Sequence, residues 1–228
     1  MQLDFQTREL LVKLVYYGPA LSGKTTNLQA LHALVADDAR GRLMTLETRD
    51  DRTLFFDLLP LTFRSGNLQV RIKLFTVPGQ VIHNATRRLV LQGADGVAFI
   101  ADSQRSETKA NTAAFVDLKQ NLADNGLDIK KMPVVIQFNK RDLIDIRSDR
   151  EIDQLSQQGR EPVFKAIAMQ GVGVLETFMG LFELTWRKLE REHGLHDKFD
   201  IESEKLFSDI RARLSVVRSG STIPGPPR

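Results

Sequence analysis

The sequence contains no cysteine. This absence excludes disulfide bonds, thiolate metal sites and a cysteine nucleophile, and it excludes thioester and prenyl anchors, while Gln2 excludes N-myristoylation. Basic residues outnumber acidic residues by only 32 to 29, which gives no reason to expect nucleic-acid binding. No apolar run approaches the ~20 residues of a membrane span, and the N-terminal residues lack the apolar segment of a signal peptide. We therefore expect a cytoplasmic protein without a lipid anchor.

The composition is typical of a globular protein, because 42% of the 228 residues are hydrophobic and 27% are charged, enough to form a full core. Short apolar runs alternate with helical patterns, which predicts an α/β fold with a mostly parallel six-stranded sheet flanked by helices. The predicted strands are residues 10–17, 54–63, 68–77, 96–102, 133–139 and 163–168, the second and third forming an antiparallel hairpin. The predicted helices are residues 24–35, 106–124, 149–158 and 174–192.

The length favours one domain with an appendage over two equal domains. We assign residues 1–192 to the main domain and residues 193–228 to a C-terminal extension. Apolar residues recur on roughly one face of the extension, which predicts an amphipathic helix at about 200–217. Residues 219–228 are rich in glycine and proline, and we expect them to be disordered. The extension could dock on the core, mediate self-association or capture a partner.

A phosphate-binding motif lies where the first strand meets the first helix. Residues 18–25 read Gly-Pro-Ala-Leu-Ser-Gly-Lys-Thr and match the P-loop pattern G-x-x-x-x-G-K-[ST]. Glycine lets the backbone curl around phosphate oxygens, and the helix N-terminus attracts the anion. Lys24 would contact the β and γ phosphates and the Thr25 hydroxyl would bind Mg²⁺, whereas the plain alternative is a glycine turn with a surface lysine. The candidate nucleotide contacts in this segment are Gly18, Ala20, Leu21, Ser22, Gly23, Lys24, Thr25 and Thr26.

A second motif indicates which base is bound. Residues 139–142 read Asn-Lys-Arg-Asp at the carboxyl end of a predicted strand, the edge where open α/β sheets bind ligands. The Asp142 carboxylate would accept both neighbouring donors of guanine, whereas adenine presents an acceptor there. Asn139 would bond the other edge of the base, and the Lys140 stem would lie against the ring.

A weaker third element lies in the loop that begins at Ala168 and Met169. A backbone N–H near Ala168 could donate to the guanine carbonyl, and Met169 would lie beside the base. The alternative is an ordinary glycine-rich loop between a strand and a helix.

The segment Thr76-Val77-Pro78-Gly79-Gln80 is similar to the Asp-x-x-Gly-Gln segment of Ras-like GTPases. In that pattern the Gly79 N–H would contact the γ-phosphate and Gln80 would orient the attacking water. Thr76 replaces the aspartate, so this position can hold a Mg²⁺-bound water but carries no charge.

The segment at residues 76–80 and the loop before Leu54 would form the two switches, the segments that respond to the γ-phosphate. Thr53 is the candidate second Mg²⁺ ligand. Arg52 could neutralise charge that develops on the phosphates in the transition state. Arg49 is an alternative for that role, and a solvated loop charge is the plain interpretation of Arg52.

With these residues placed, the chain resembles the MglA family, the bacterial Ras-like GTPases of cell polarity and motility. The resemblance covers about residues 8–190. It is carried by SGKTTNL (22–28), DRTLFFDLLP (51–60), TVPGQ (76–80), HNATRRLVL (83–91) and NKRDL (139–143). The resemblance implies a Ras-like G domain of the P-loop NTPase class that uses GTP, GDP and Mg²⁺.

The same resemblance implies a slow GTPase switch and its partners. A Roadblock-type (MglB-like) activator would accelerate hydrolysis by repositioning switch residues rather than by inserting an arginine. Polarity or cytoskeletal effectors would bind the switch regions, with recruitment to a cell pole by partners. The family also implies a nucleotide-linked shift of the strand between the switches, here residues 54–63.

Two other functions are weighed against this switch. The chain could be a scaffold that binds GTP, scarcely hydrolyses it and acts through partner assembly. A P-loop kinase would need a lid and an acceptor site; neither is visible in the sequence, and the Asn-Lys-Arg-Asp segment argues against this function.

Overall fold

The computed structural model describes residues 1–47, 55–79 and 84–215. The strands are β1 (Gln2–Asp4), β2 (Glu9–Tyr17), β3 (Met44–Glu47), β4 (Phe55–Ser65), β5 (Leu68–Thr76), β6 (Gly96–Asp102), β7 (Val134–Asn139) and β8 (Val163–Lys165). The helices are α1 (Lys24–Leu34), α2 (Asn84–Leu91), α3 (Thr108–Asp124), α4 (Asp149–Gln158), α5 (Val174–His193), α6 (Leu195–Phe199) and α7 (Ser203–Ser215).

The strands form one sheet in the order β3-β4-β5-β2-β6-β7-β8, and β1 pairs antiparallel with β2. The pairs β2–β5, β2–β6, β6–β7 and β7–β8 are parallel, whereas β4 runs antiparallel to β3 and β5. The predicted α/β class and the antiparallel hairpin are confirmed. The carboxyl ends of the central parallel strands therefore meet at one edge of the sheet, where ligands bind in such folds.

The described sheet has eight strands rather than the six predicted. The two additional strands, β1 and β3, have three and four residues, too few for an alternating pattern to stand out from loop sequence. The strand predicted at 163–168 ends earlier, at Lys165, because Ala168–Gln170 form a 3₁₀ turn.

Helices cover both faces of the sheet, and this explains the continuous apolar runs of the central strands. All seven residues of β6 are buried. One face packs against α1, α5 and α7 around a core that includes the fully buried Trp186. The other face packs against α2 and α3 around Val97 and Leu118.

The helix α7 is docked on the core. Its apolar face is buried, with Leu206 and Ile210 each 0% exposed. The Ser65 hydroxyl at the end of β4 donates to Asp209 over 3.1 Å, and the Ala36 N–H donates to the Arg213 carbonyl over 3.1 Å. Of the three roles considered for the extension, docking is therefore the one that the described residues show.

The other expectations for the extension have different outcomes. The amphipathic helix predicted at about 200–217 begins at Ser203, after the separate short helix α6. The tail at 219–228 lies outside the described residues, and the division of the chain at residue 192 stays a proposal. Within the described part of the chain, no helix is both long enough and apolar enough to cross a membrane.

We expect Leu206→Ala to lower the free energy of unfolding by about 2–5 kcal/mol, because it leaves a cavity beneath α7. Ser208→Ala, on the exposed side of the same helix, is the matched control and should change stability little. Urea unfolding of both variants measures the difference. Equal stabilities would contradict the docking of α7.

Candidate functional site

The phosphate loop occupies the turn between β2 and α1 and depends on two glycines. Gly18 and Gly23 have φ of 151° and 94°, values that L side chains rarely adopt. A Cβ on Gly18 would lie 2.2 Å from the Ile100 carbonyl oxygen, and one on Gly23 would lie 2.2 Å from the Asn139 amide nitrogen. No larger residue fits at either position without displacing its neighbour.

Lys24 places a buried positive charge beneath this loop. The side chain is 7% exposed, and its ammonium donates to the carbonyls of Gly18 and Pro19 over 3.0 and 2.6 Å. Burial, together with the positive charge of Arg87, lowers the pKa of Lys24 to about 8, against the opposing effect of Asp57. A bound phosphate would raise the pKa of Lys24 again, because a nearby anion favours the charged form of the lysine.

Other features of the loop also suit an anion. The helix α1 begins at Lys24, so its first backbone N–H groups and the positive end of its dipole lie at the loop. The Ser22 hydroxyl is fully buried and has no hydrogen-bond partner among residues 1–47, 55–79 and 84–215. Leu21, with φ of 60°, is 87% exposed. Ala20 completes the middle of the loop, and Thr26 follows in the first turn of α1.

A buried carboxylate that the sequence analysis missed lies beside the loop. Asp57 of β4 is 6% exposed and accepts hydrogen bonds from the hydroxyls of Thr25 (2.6 Å), Thr45 (2.9 Å) and Thr76 (2.9 Å). The Asp57 N–H donates to the Thr76 hydroxyl over 2.9 Å. The only sequence signal was an acidic residue within an apolar strand. The negative charge that Thr76 lacks therefore comes from the neighbouring strand.

The oxygens of Thr25 and Asp57 are of the kind that Mg²⁺ prefers. Their approach to each other next to the phosphate loop fits a Mg²⁺ ion held partly by protein and partly by phosphate. Thr53, the other candidate ligand, lies outside the described residues, so its role stays a prediction.

The segment that follows β5 lies directly against the phosphate loop. A Cβ on Gly79 would be 2.4 Å from the Ala20 Cα and 2.6 Å from the Ala20 nitrogen, so the contact requires glycine. Gln80, Arg52 and the alternative Arg49 all lie outside the described residues. Their catalytic roles therefore stay predictions.

On the other side of the loop, Asn139 at the end of β7 connects two loops. Its amide nitrogen donates to the Ser22 carbonyl over 2.9 Å, and its amide oxygen accepts the Ala168 N–H over 2.9 Å. Both groups predicted to bond the base, the Asn139 amide and the Ala168 N–H, thus bond each other here. Asn139 therefore joins the phosphate loop to the loop that begins at Ala168.

The remaining predicted contacts with the base surround this junction. Lys140 has φ of 65°, and its ammonium pairs with Asp102 over 2.6 Å. Asp142 is exposed, and Met169 is 69% exposed. The structure thus brings the described residues of the phosphate loop, Gly79, and the Asn139 and Ala168 loops to one edge of the sheet.

The chain is 43% identical over 190 residues to the mutual gliding-motility protein MglA of Myxococcus xanthus (strain DK1622), an alignment that covers 83% of this chain and 97% of the relative. The chain belongs to the MglA family. No protein-family model matches the chain. The resemblance inferred from the motifs is confirmed, and with it the Ras-like P-loop G domain. Membership of the MglA family supports a small GTPase and implies the use of guanine nucleotide and Mg²⁺.

We expect binding of GDP to take up a proton above about pH 8. The pKa of Lys24 is about 8 without an anion, and phosphate contact raises it, so the lysine gains a proton on binding only where it was neutral before. Affinity should therefore be constant at lower pH and fall as the pH rises through about 8.

Titration calorimetry in buffers of different ionisation enthalpy measures this uptake. It should be about a tenth of a proton at about pH 7 and about three quarters of a proton at about pH 8.5. A Lys24→Arg variant should bind more weakly and without uptake, since a guanidinium does not titrate in this range. Equal uptake at both pH values would contradict the expectation.

Proposed function

We propose that this MglA-family protein is a molecular switch that hydrolyses GTP to GDP, slowly when no activator is bound. The observation that supports this most is the meeting of four parts at one sheet edge: the Lys24 loop, the Thr25–Asp57–Thr76 cluster, Gly79 against Ala20, and the Asn139 junction. A phosphate tail, a metal ion and a purine could each contact one of these parts at the same time.

Each residue has one role in this mechanism. The loop N–H groups and Lys24 bind the β and γ phosphates, and Asp142 selects guanine. Thr25 and Thr53 would hold Mg²⁺, with Asp57 supplying negative charge beside them, and the ion when bound would neutralise phosphate charge. Gln80 orients the water that attacks the γ-phosphorus.

An arginine of the chain itself, Arg52 or Arg49, stabilises the charge that develops in the transition state. Hydrolysis then removes the γ-phosphate that orders both switches, and the surface offered to partners changes.

The relative supports the proposed cellular role. Its name refers to gliding motility, and we place this chain in bacterial cell polarity or motility, in the cytoplasm, with partners that recruit it to a pole. A Roadblock-type (MglB-like) protein is the proposed activator, and effectors would bind the switch regions.

We expect Gln80→Ala and Arg52→Ala each to lower activator-stimulated hydrolysis by at least about a hundredfold while GTP still binds, because neither residue holds the nucleotide alone. Single-turnover hydrolysis of bound GTP, with and without a Roadblock-type protein, is the measurement. Arg49→Ala decides between the two arginines.

Unchanged turnover in Gln80→Ala and in both arginine variants would rule out this mechanism. A parent protein that binds GTP but hydrolyses none, with or without the activator, would instead be a nucleotide-dependent scaffold.

We expect Asp57→Asn to reduce the gain in GDP affinity that Mg²⁺ provides by roughly tenfold, the effect of losing a charged hydrogen-bond partner. Affinity in the presence of a chelator should stay the same or rise, because the substitution removes negative charge near the phosphates. Asp95→Asn is the control. Asp95 is also a buried carboxylate, but it lies just before β6 and accepts a hydrogen bond from the Lys13 N–H. Equal loss of affinity with and without Mg²⁺ would count against a metal-linked role.

A further inference from the structure

Three fully buried polar side chains lie beneath the phosphate loop. Asn27 of α1, Gln137 of β7 and Thr177 of α5 are each 0% exposed. The Gln137 amide nitrogen donates to the Asn27 side-chain oxygen over 2.9 Å and to the Thr177 hydroxyl over 2.8 Å. A single side chain of the central sheet thus joins the first helix to the fifth.

Both ends of this cluster reach a loop of the nucleotide site. The Asn27 amide nitrogen donates to the Gly23 carbonyl over 2.9 Å, and the Thr177 hydroxyl donates to the Gly173 carbonyl over 2.7 Å. Gly173 is held near Ala168 because Ile167 and Val172 exchange backbone hydrogen bonds of 2.9 and 3.2 Å. A continuous chain of hydrogen bonds therefore connects the phosphate loop with the loop that begins at Ala168.

The cluster parallels the junction made by Asn139. Asn139 joins Ser22 to Ala168, and the buried cluster joins the next residue of the phosphate loop, Gly23, to the end of the same second loop. Two separate hydrogen-bonded connections thus span the same pair of loops, one through Asn139 and one through the cluster, and both are buried.

Stability alone does not explain these polar residues. Burying an amide costs free energy unless every polar atom is paired, and within the described part of the chain the Gln137 side-chain oxygen has no partner. Replacing a whole buried polar group with apolar side chains of similar shape is often neutral or stabilising. The directional hydrogen bonds do provide a fixed geometry between elements that an apolar contact would leave adjustable.

We propose that Asn27, Gln137 and Thr177 form a buried bridge that holds the phosphate loop and the Ala168 loop at a fixed separation, so that one guanine nucleotide contacts both loops and dissociates slowly. The proposal rests on the proposed function, because it concerns retention of the same nucleotide. None of the three side chains needs to touch the nucleotide, so they are positioning residues.

The first experiment compares two threonines of α5. Thr177→Val removes one end of the buried bridge. Thr185→Val is the matched control, because Thr185 is also 0% exposed and its hydroxyl also donates to a carbonyl four residues earlier, that of Leu181, over 2.8 Å. Release of a fluorescent GDP should be about three- to tenfold faster in Thr177→Val, because only this variant also loses the hydrogen bond from the Gln137 amide, and unchanged in Thr185→Val.

The second experiment separates positioning from stability. The triple variant Asn27→Leu/Gln137→Met/Thr177→Val replaces the buried bridge with apolar side chains. Its resistance to urea without added nucleotide should equal or exceed that of the parent, while GDP release becomes at least about tenfold faster. A purely structural role would make stability and retention fall together.

The outcomes are distinct. Equal release rates for Thr177→Val and Thr185→Val, or a triple variant that retains GDP like the parent, would overturn the buried bridge alone. A triple variant that fails to fold would also overturn it, since the cluster would then be structural. A parent protein that binds no GDP would instead refute the proposed function.

Discussion

The site depends on keeping the Lys24 ammonium buried beneath a loop of backbone dipoles. A buried cation is unfavourable unless its donors are satisfied, and here two loop carbonyls accept from it. The arrangement requires the two glycines of the loop, which approach the Ile100 carbonyl and Asn139 too closely for a side chain. The buried ammonium and the N-terminus of the helix that starts at Lys24 therefore both place positive charge at the loop, which favours binding of an anion there.

The carboxylate next to the phosphate loop comes from a neighbouring strand. The strand that precedes Gly79 ends in Thr76, and the negative charge is provided by Asp57 of the antiparallel neighbour β4. Leu58 pairs with Phe75, so the antiparallel register brings Asp57 to Thr76. Any shift of β4 against β5 would move this charge away from Thr25, which couples the position of the strand to the phosphate site.

Two hydrogen-bonded connections hold together loops that are far apart in the sequence and so form one site. Asn139 holds Ser22 and Ala168 together, and the buried bridge links Gly23 and Gly173 beneath them. On the same face of the sheet, α7 covers the core and contacts the end of β4 through Asp209. The helix α7 is thus packed against the strand that carries Asp57, although residues 193–215 of the extension contribute no side chain to the site described above.

The sequence alone predicted the phosphate loop, the Asn-Lys-Arg-Asp segment, the hairpin and the family, because each is encoded in contiguous residues. It predicted most strands and helices for the same reason, but β1 and β3 were too short to show a pattern. Asp57 and the buried bridge were not predictable, because their partners are distant in the sequence. Asp57 lies 32 residues from Thr25 and 19 from Thr76, and Gln137 lies 110 residues from Asn27 and 40 from Thr177. Only the parallel strand order and the packing of α1 and α5 on one sheet face bring such distant polar groups within hydrogen-bonding distance.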